Sequence, residues 1–222
     1  MKFSLLDQES PYDLFREWYG LVSGENQGLF TKIYMKVLHL MLSKIMPAMN
    51  RIHANAMVLS TVGKDGQPNA RVVLLKSYDS SGFRFYTNYG SQKGKEIEEN
   101  SRAALVFYWD FPPRQVRIQG LLKKTSQVDS QEYWSSRPRG SRLSALASHQ
   151  SQRIPEKSVL EKRVKELELE YHGKEIPCPD FWGGYILEPT YFEFWQGRAN
   201  RLHDRLVFKR SETGWDKELL AP

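Results

Sequence analysis

From residue 56 onward, short apolar runs alternate with turn residues. AMVLSTV (56–62), ARVVLLKSY (70–78) and FRFYTN (83–88) are rich in β-branched and aromatic side chains, and KDGQ and DSSG separate them. This pattern predicts strand, turn, strand, turn, strand. ALVFYWD (104–110) and RQVRIQGLLKKT (114–125) add two strands, and GYILEP, YFEFW, RLVFKR and GWDKELL add four near the C-terminal end. Helical signals stand between them. In SPYDLFREWYGL, Ser10 suits an N-cap, Pro11 the first turn and Asp13 the positive helix end, with Leu14, Trp18 and Leu21 on one side. SQKGKEIEEN (91–100) predicts a helix capped by Ser91. QVDSQEYWSSR (127–137) predicts one stopped by Pro138, and PEKSVLEKRVKELELEYHG (155–173) an amphipathic one ended by Gly173, its charges read as a solvated face. Consecutive strands with helices inserted predict an α+β, mainly β protein: an antiparallel barrel with peripheral helices.

One segment breaks the pattern. GLFTKIYMKVLHLMLSKIMPAMNRIH (28–53) is rich in Met and Leu, but Lys32, Lys36, His39 and Lys44 interrupt it. It lacks the run of about 18 uncharged residues that a membrane span needs, so a helix packed on the body is expected. Hydrophobic residues make up 40% of the 222, enough for one large or two small domains, and 13% are aromatic. A net charge of +6 suits an anionic ligand. The lone cysteine, Cys178, has no partner for a disulfide and no activating neighbour in sequence, so a packed structural thiol is expected. The opening MKFSLLDQES lacks a signal-peptide layout, and a reducing, cytoplasmic location is the expectation. The five histidines show no metal-ligand spacing, so no metal is expected.

Three clusters carry candidate chemistry. RVVLLK runs from Arg71 to Lys76. YTNYGSQKGK (86–95) joins a strand end to a helix N-terminus bearing Ser91, Lys93 and Lys95, and such termini receive phosphate groups well. The third is the stretch from Tyr133 to Pro155, which has no acidic residue and carries Arg137, Arg139, Arg142 and Arg153, taken together with RLHDR at 201–205. Tyr133 and Arg137 are four apart and share a helix face. Arg201, His203 and Arg205 alternate, so on a strand they would share one face, with Leu202, Asp204 and Leu206 on the other. Each cluster alone is a weak signal, and their co-occurrence in one basic chain is better evidence for two phosphate-bearing ligands.

RVVLLK, FYTNYGSQKGKEI, RQVRIQG, SRPRGS, SHQS, FWGGY, EFWQGRANRLHDR and the terminal LAP together resemble the pyridoxamine 5′-phosphate oxidase family, over Asn55 to Pro222 and the PYDLFREWY helix. The resemblance implies a Greek-key split β-barrel and a homodimer with FMN at its interface. It also implies oxidation of pyridoxamine or pyridoxine 5′-phosphate to pyridoxal 5′-phosphate by O2, with H2O2 as by-product. The FMN contacts it implies are Arg71, Val72, Val73, Leu74, Leu75, Lys76, Tyr86, Thr87, Gln92, Lys93, Gln115, Gln150, Ser151, Trp195 and Arg205. Gln92 stands where the family usually has an arginine, and Ser144 where it usually has a glycine. The implied substrate contacts are Lys76, Tyr133, Arg137, Ser141, Arg201, Leu202 and His203, with Arg201 and His203 nearest the chemistry. The implied layout is a helical segment over 1–54, with an insertion at 28–53, and an FMN-binding barrel over 55–222 that includes the C-terminal dimerisation and substrate region.

Two other readings share part of this pattern. A nucleic-acid-binding β-barrel would use the basic charge and aromatic strands. Against it, Phe107, Tyr108 and Trp109 are consecutive rather than alternating on one face. A flavin- or pyridoxal-phosphate-binding carrier without turnover would keep every phosphate contact and differ only at the reacting centre.

Overall fold

The computed structural model describes residues 9–24, 54–110 and 112–222. The helix expected over 28–53 lies outside them. Among the described residues, nine strands form one antiparallel sheet. Its path begins β2 (Pro68–Leu74), β1 (Ala56–Val62), β5 (Arg102–Asp110), β6 (Pro113–Lys124) and continues β7 (Trp182–Gln196), β4 (Gly82–Asn88), β3 (Ser77–Asp79). β8 (Asp204–Ser211) pairs with the second half of β7, and β9 (Gly214–Leu219) with β8.

The single strand expected over 70–78 is two strands, and the break closes the barrel. β2 pairs with β1 and β3 pairs with β4, at opposite ends of the sheet path. Between them the Leu75 N–H donates to the Asn55 carbonyl at 2.8 Å and the Lys76 N–H to the Arg84 carbonyl at 2.9 Å. Two adjacent residues therefore tie the two ends of the path together. The two strands expected at GYILEP and YFEFW are, conversely, one long strand. Pro189, which cannot donate to a ladder, falls where the β6–β7 register shifts, opposite Gly120. Gly120 is needed there, because a Cβ would strike the Glu188 carbonyl.

Inward-facing side chains from alternate positions fill the barrel, among them Leu59, Phe83, Phe85, Leu105, Phe107, Ile118, Phe192 and Phe194. Helix α1 (Pro11–Ser23) packs against this core with Tyr12, Leu14, Phe15 and Trp18. Its buried stripe runs through Pro11, Phe15, Trp18 and Val22, at helical spacing. Leu21, expected on that stripe, lies one residue from Val22 and is 46% exposed. Ser10 is extended before α1 but makes no side-chain cap bond. Ser91 caps α2 (Gln92–Glu99) as expected, accepting from the Gly94 N–H.

A second cluster joins α3 (Gln127–Ser136), α4 (Arg139–Ala147) and α5 (Lys157–Glu170) to the start of β7 through Trp134, Leu143, Leu167 and Trp182. α4 arises from the acid-free stretch, which had not been assigned a helix; Pro138 stands at its N-cap. Cys178 packs half-buried against this cluster, and burial pushes its thiol pKa up.

Phe15 is fully buried, with ring centroids 4.9 Å from both Tyr78 and Phe83 and 5.1 Å from Phe107. Phe15→Ala is expected to lower unfolding free energy by about 3–5 kcal/mol in urea titration, since the barrel wall cannot collapse onto the void.

Candidate functional site

A cavity of about 1340 Å³ opens between the barrel seam and the three-helix cluster. Eleven of the implied FMN and substrate contacts line it: Val72, Val73, Leu74, Lys76, Tyr86, Thr87, Lys93, Tyr133, Arg137, Ser141 and Gln150. They come from β2, the seam, β4, the start of α2, the α3–α4 turn and the chain after α4.

At its inner end lies Lys93, 9% exposed. Its ammonium donates to Thr87 Oγ1 at 3.3 Å, Ser91 Oγ at 3.2 Å and Gln150 Oε1 at 3.1 Å. All three are neutral. Burial lowers the pKa of Lys93, and the nearby Arg71 guanidinium adds to this. A buried cation with only neutral acceptors beside a helix N-terminus is a place an anion stabilises.

Behind Lys93, Glu96 is the hub of a polar network. Its carboxylate accepts from Arg71 Nη2 at 2.9 Å, Asn69 Nδ2 and Gln92 Nε2 at 2.8 and 2.9 Å, and Thr61 Oγ1 at 2.5 Å. Burial alone would raise the carboxyl pKa; the hydrogen bonds from Thr61, Arg71 and Gln92 outweigh it and hold the group below its usual range. Arg71 and Gln92 therefore turn toward Glu96, and neither lines the cavity. Leu75 is 3% exposed in the barrel core, and Ser151 lies outside the cavity with a φ of 69°.

The opposite wall is aromatic. Tyr86 stacks on Tyr133 with centroids 4.0 Å apart and on Trp182 at 5.6 Å. The Arg137 guanidinium lies 4.7 Å from the Trp182 ring centre and 5.1 Å from that of Trp134. Its Nη2 donates to the Ser141 carbonyl at 3.1 Å, while its buried Nη1 has no partner among the described residues. Arg137 lines a cavity that also holds Ser141 and Lys76, and a guanidinium there with no carboxylate partner fits a second anionic group.

The remaining candidates stand elsewhere. Gln115, Trp195 and Arg205 are successive cross-strand neighbours on the outer face of β6, β7 and β8. Glu193, 2% exposed, holds Arg205 at 2.9 Å and Arg117 at 2.8 Å. The Arg201–His203–Arg205 strand face is not formed. Residues 199–201 make a single 3₁₀ turn and β8 starts only at Asp204, because the ladder ends at the Gln196–Asp204 pair. Asn200 and Arg201 are both left-handed, with φ of 56° and 60°. His203 instead lies against Trp195, with ring centroids 4.7 Å apart.

Sequence reasoning missed the helical wall. Lys157, Leu160, Glu161, Val164 and Lys165 of α5 line the cavity, so this face is not simply a solvated one. Their spacing marks one side of a helix, but nothing in the spacing says what that side meets. Glu96 was missed as well: inside KEIEEN it looks like any surface glutamate.

Residues 46–171 match the family described as "Pyridoxamine 5'-phosphate oxidase", and residues 182–222 match the "Pyridoxine 5'-phosphate oxidase C-terminal dimerisation region". A relative from Christiangramia forsetii, named "Pyridoxine/pyridoxamine 5'-phosphate oxidase", is 45% identical over 214 residues, 96% of this chain and 89% of its own length. The Bos taurus "Pyridoxine-5'-phosphate oxidase" is 51% identical over 186 residues, covering 77% of this chain and 71% of the relative. Among solved structures, PhzG from Burkholderia lata 383, in complex with tetrahydrophenazine-1-carboxylic acid, superposes with a TM-score of 0.74 at 30% identity, over 85% of this chain and 92% of that one.

Glu96→Gln leaves the half-buried Arg71 without its counter-charge and is expected to cost about 2–3 kcal/mol of stability at pH 7. Because the folded pKa of Glu96 lies below its unfolded value, its contribution is complete above the ordinary carboxylate range and is lost as pH falls through the lowered value. The gap between wild type and variant in urea midpoint should therefore narrow on acidification.

Proposed function

This chain belongs to the pyridoxamine 5′-phosphate oxidase family, and we propose that it is an FMN-dependent oxidase converting pyridoxamine 5′-phosphate or pyridoxine 5′-phosphate to pyridoxal 5′-phosphate. O2 would be the acceptor, with H2O2 formed and ammonia released from the amine. The observation that carries this reading is one cavity lined by both the buried Lys93 ammonium and the Arg137 guanidinium, together with the stacked rings of Tyr86, Tyr133 and Trp182. Two phosphate-bearing molecules meeting face to face need such a layout.

FMN, when bound, supplies the two-electron acceptor. Lys93, with Thr87 Oγ1, Ser91 Oγ and Gln150 around it, would hold the FMN phosphate. Arg71 would act from behind, its guanidinium kept beside Lys93 by Glu96. Gln92 is neutral and adds no charge there, and its amide donates to Glu96. Arg137, Ser141, Tyr133 and Lys76 would hold the substrate phosphate; Lys76 Nζ already stands 5.6 Å from the Tyr133 ring centre. Arg201, Leu202 and His203 would close on the substrate at its reacting C4′ end. A guanidinium offers hydrogen-bond donors and no acceptor, so the role of Arg201 is to orient and polarise the C4′ amine or alcohol rather than to accept its proton.

One chain cannot supply all of these contacts. Gln115, Trp195 and Arg205 stand on the outer face of β6, β7 and β8, and none of them lines the cavity that holds Lys93 and Arg137. A second copy turned against the first would bring the two halves together. Apolar side chains on the outer sheet face and the loop favour such burial: Val72 is 65% exposed, Tyr108 56% and Leu202 70%. The assembly we infer is thus a homodimer with FMN at the interface, residues 55–222 forming the FMN-binding, dimerising unit. The lone cysteine suits work in the cytoplasm.

The deciding experiment mixes FMN-loaded protein with pyridoxamine 5′-phosphate without oxygen. Bleaching of the oxidised-flavin absorbance, reversed on admitting air, is expected; bound flavin that never bleaches would leave a carrier, not an oxidase. In steady state, Arg137→Ala should raise the substrate KM by about 10- to 100-fold through loss of a charge-assisted phosphate contact. An unchanged KM would remove Arg137 from the substrate site.

A further inference from the structure

The loop that carries Arg201 and His203 is held by Arg198. Arg198 reaches its far side twice. Its backbone N–H donates to His203 Nδ1 at 3.1 Å, and its guanidinium Nε donates to Asp204 Oδ2 at 2.6 Å. The anchors on either side are firm. The Gly197 N–H donates to the Pro113 carbonyl at 2.9 Å, and a Cβ at Gly197 would press on the Pro113 ring at 2.9 Å. Gln196 pairs with Asp204 at the last rung of the β7–β8 ladder. Between these anchors lie Asn200 and Arg201, two successive left-handed residues other than glycine, each costing free energy that the surrounding loop must offset.

We propose that Arg198 is a positioning residue for the reaction, a clasp that sets both the tautomer of His203 and the placement of Arg201. The proposal rests on the oxidase reading above. Donation into Nδ1 leaves the neutral imidazole's proton on Nε2, so His203 presents a hydrogen-bond donor on its free edge. Trp195 supports the ring at 4.7 Å. The Arg198–Asp204 ion pair closes the loop against its strand base and keeps the left-handed pair from relaxing. Both partners are partly exposed, at 47% and 40%, so salt should weaken the clasp.

Arg198→Ala in the FMN-loaded protein is expected to lower kcat about 10-fold and loosen pyridoxal 5′-phosphate about 3- to 10-fold, with FMN affinity unchanged. The reversed pair, Arg198→Asp with Asp204→Arg, should recover most of the loss that either single change causes. Raising salt should depress wild-type kcat and barely affect Arg198→Ala. A readout independent of turnover is the ¹⁵N spectrum of histidine-labelled protein, with His203→Gln to assign the signal: wild type should show the proton on Nε2, and Arg198→Ala, which keeps the backbone donor but loses the Asp204 anchor that holds it against the ring, a mixture. Wild-type kcat and product affinity in Arg198→Ala, or a wild-type proton on Nδ1, would overturn the clasp. If FMN-loaded wild type neither bleached nor bound pyridoxal 5′-phosphate, the oxidase reading would fall instead, and the nitrogen shifts would still decide whether Arg198 sets the ring.

Discussion

The crossing at Leu75 and Lys76 is the constraint on which the rest of the molecule depends. Two successive N–H groups there donate in opposite senses, one back to Asn55 and the next on to Arg84. An open sheet would leave β2 and β3 as two free edges; joining them through two residues makes the sheet curl and close. The same crossing sorts the side chains, with Leu75 in the core and Lys76 in the cavity. It also brings β4 beside β2. The loop after β4 then delivers Ser91, Lys93 and the rest of α2 to the seam, next to Arg71 and Glu96.

Cations dominate the inner wall of the cavity, and Glu96 is the buried carboxylate that faces them. Glu96 is consumed by Arg71, Asn69, Gln92 and Thr61, which leaves Lys93 among neutral oxygens. A buried ammonium among neutral oxygens is costly when alone and becomes favourable when an anion enters, as the proposed phosphate would. Arg137 repeats the logic at the other end, stacked on Trp134 and Trp182 with one nitrogen held in reserve. The aromatic wall between them gives flat rings a surface to lie against. On the proposed reading, binding and chemistry are divided between elements: rigid barrel and helix ends would hold phosphates, while a short hairpin loop would carry the groups nearest the reacting carbon.

That loop shows where alternation misleads. Arg201, His203 and Arg205 occupy every second position, and on a strand they would have shared a face. The ladder stops at Gln196 and Asp204, and the chain between them turns through two left-handed residues. Only Arg205 sits on a strand, fixed by the buried Glu193 and by the Ala221 carbonyl at 2.9 Å. Period-two reasoning requires a partner strand at each rung, and a hairpin end is where the partner is lost. The division of β2 from β3 has the same origin, since a change of partner leaves no mark in a continuous apolar run.

Local chemistry made much of the protein legible in its sequence. β-branched runs and Gly-containing turns located nearly all the strands; Ser91 and Pro138 marked helix limits; the acid-free stretch and the Ser91–Lys95 turn pointed to anions; and the combined motifs pointed to the family. These signals are short in range, because propensity, capping and charge act over one or two helical turns. Tertiary structure decided the rest. It alone set which strands meet at the seam, that Glu96 binds Arg71 across 25 positions of chain, and that the charged face of α5 closes the cavity. It also set Gln115, Trp195 and Arg205 on a different wall from Lys93. Each of these depends on contacts between residues far apart in the chain, and a pattern of single positions carries no record of which distant partner a side chain will meet.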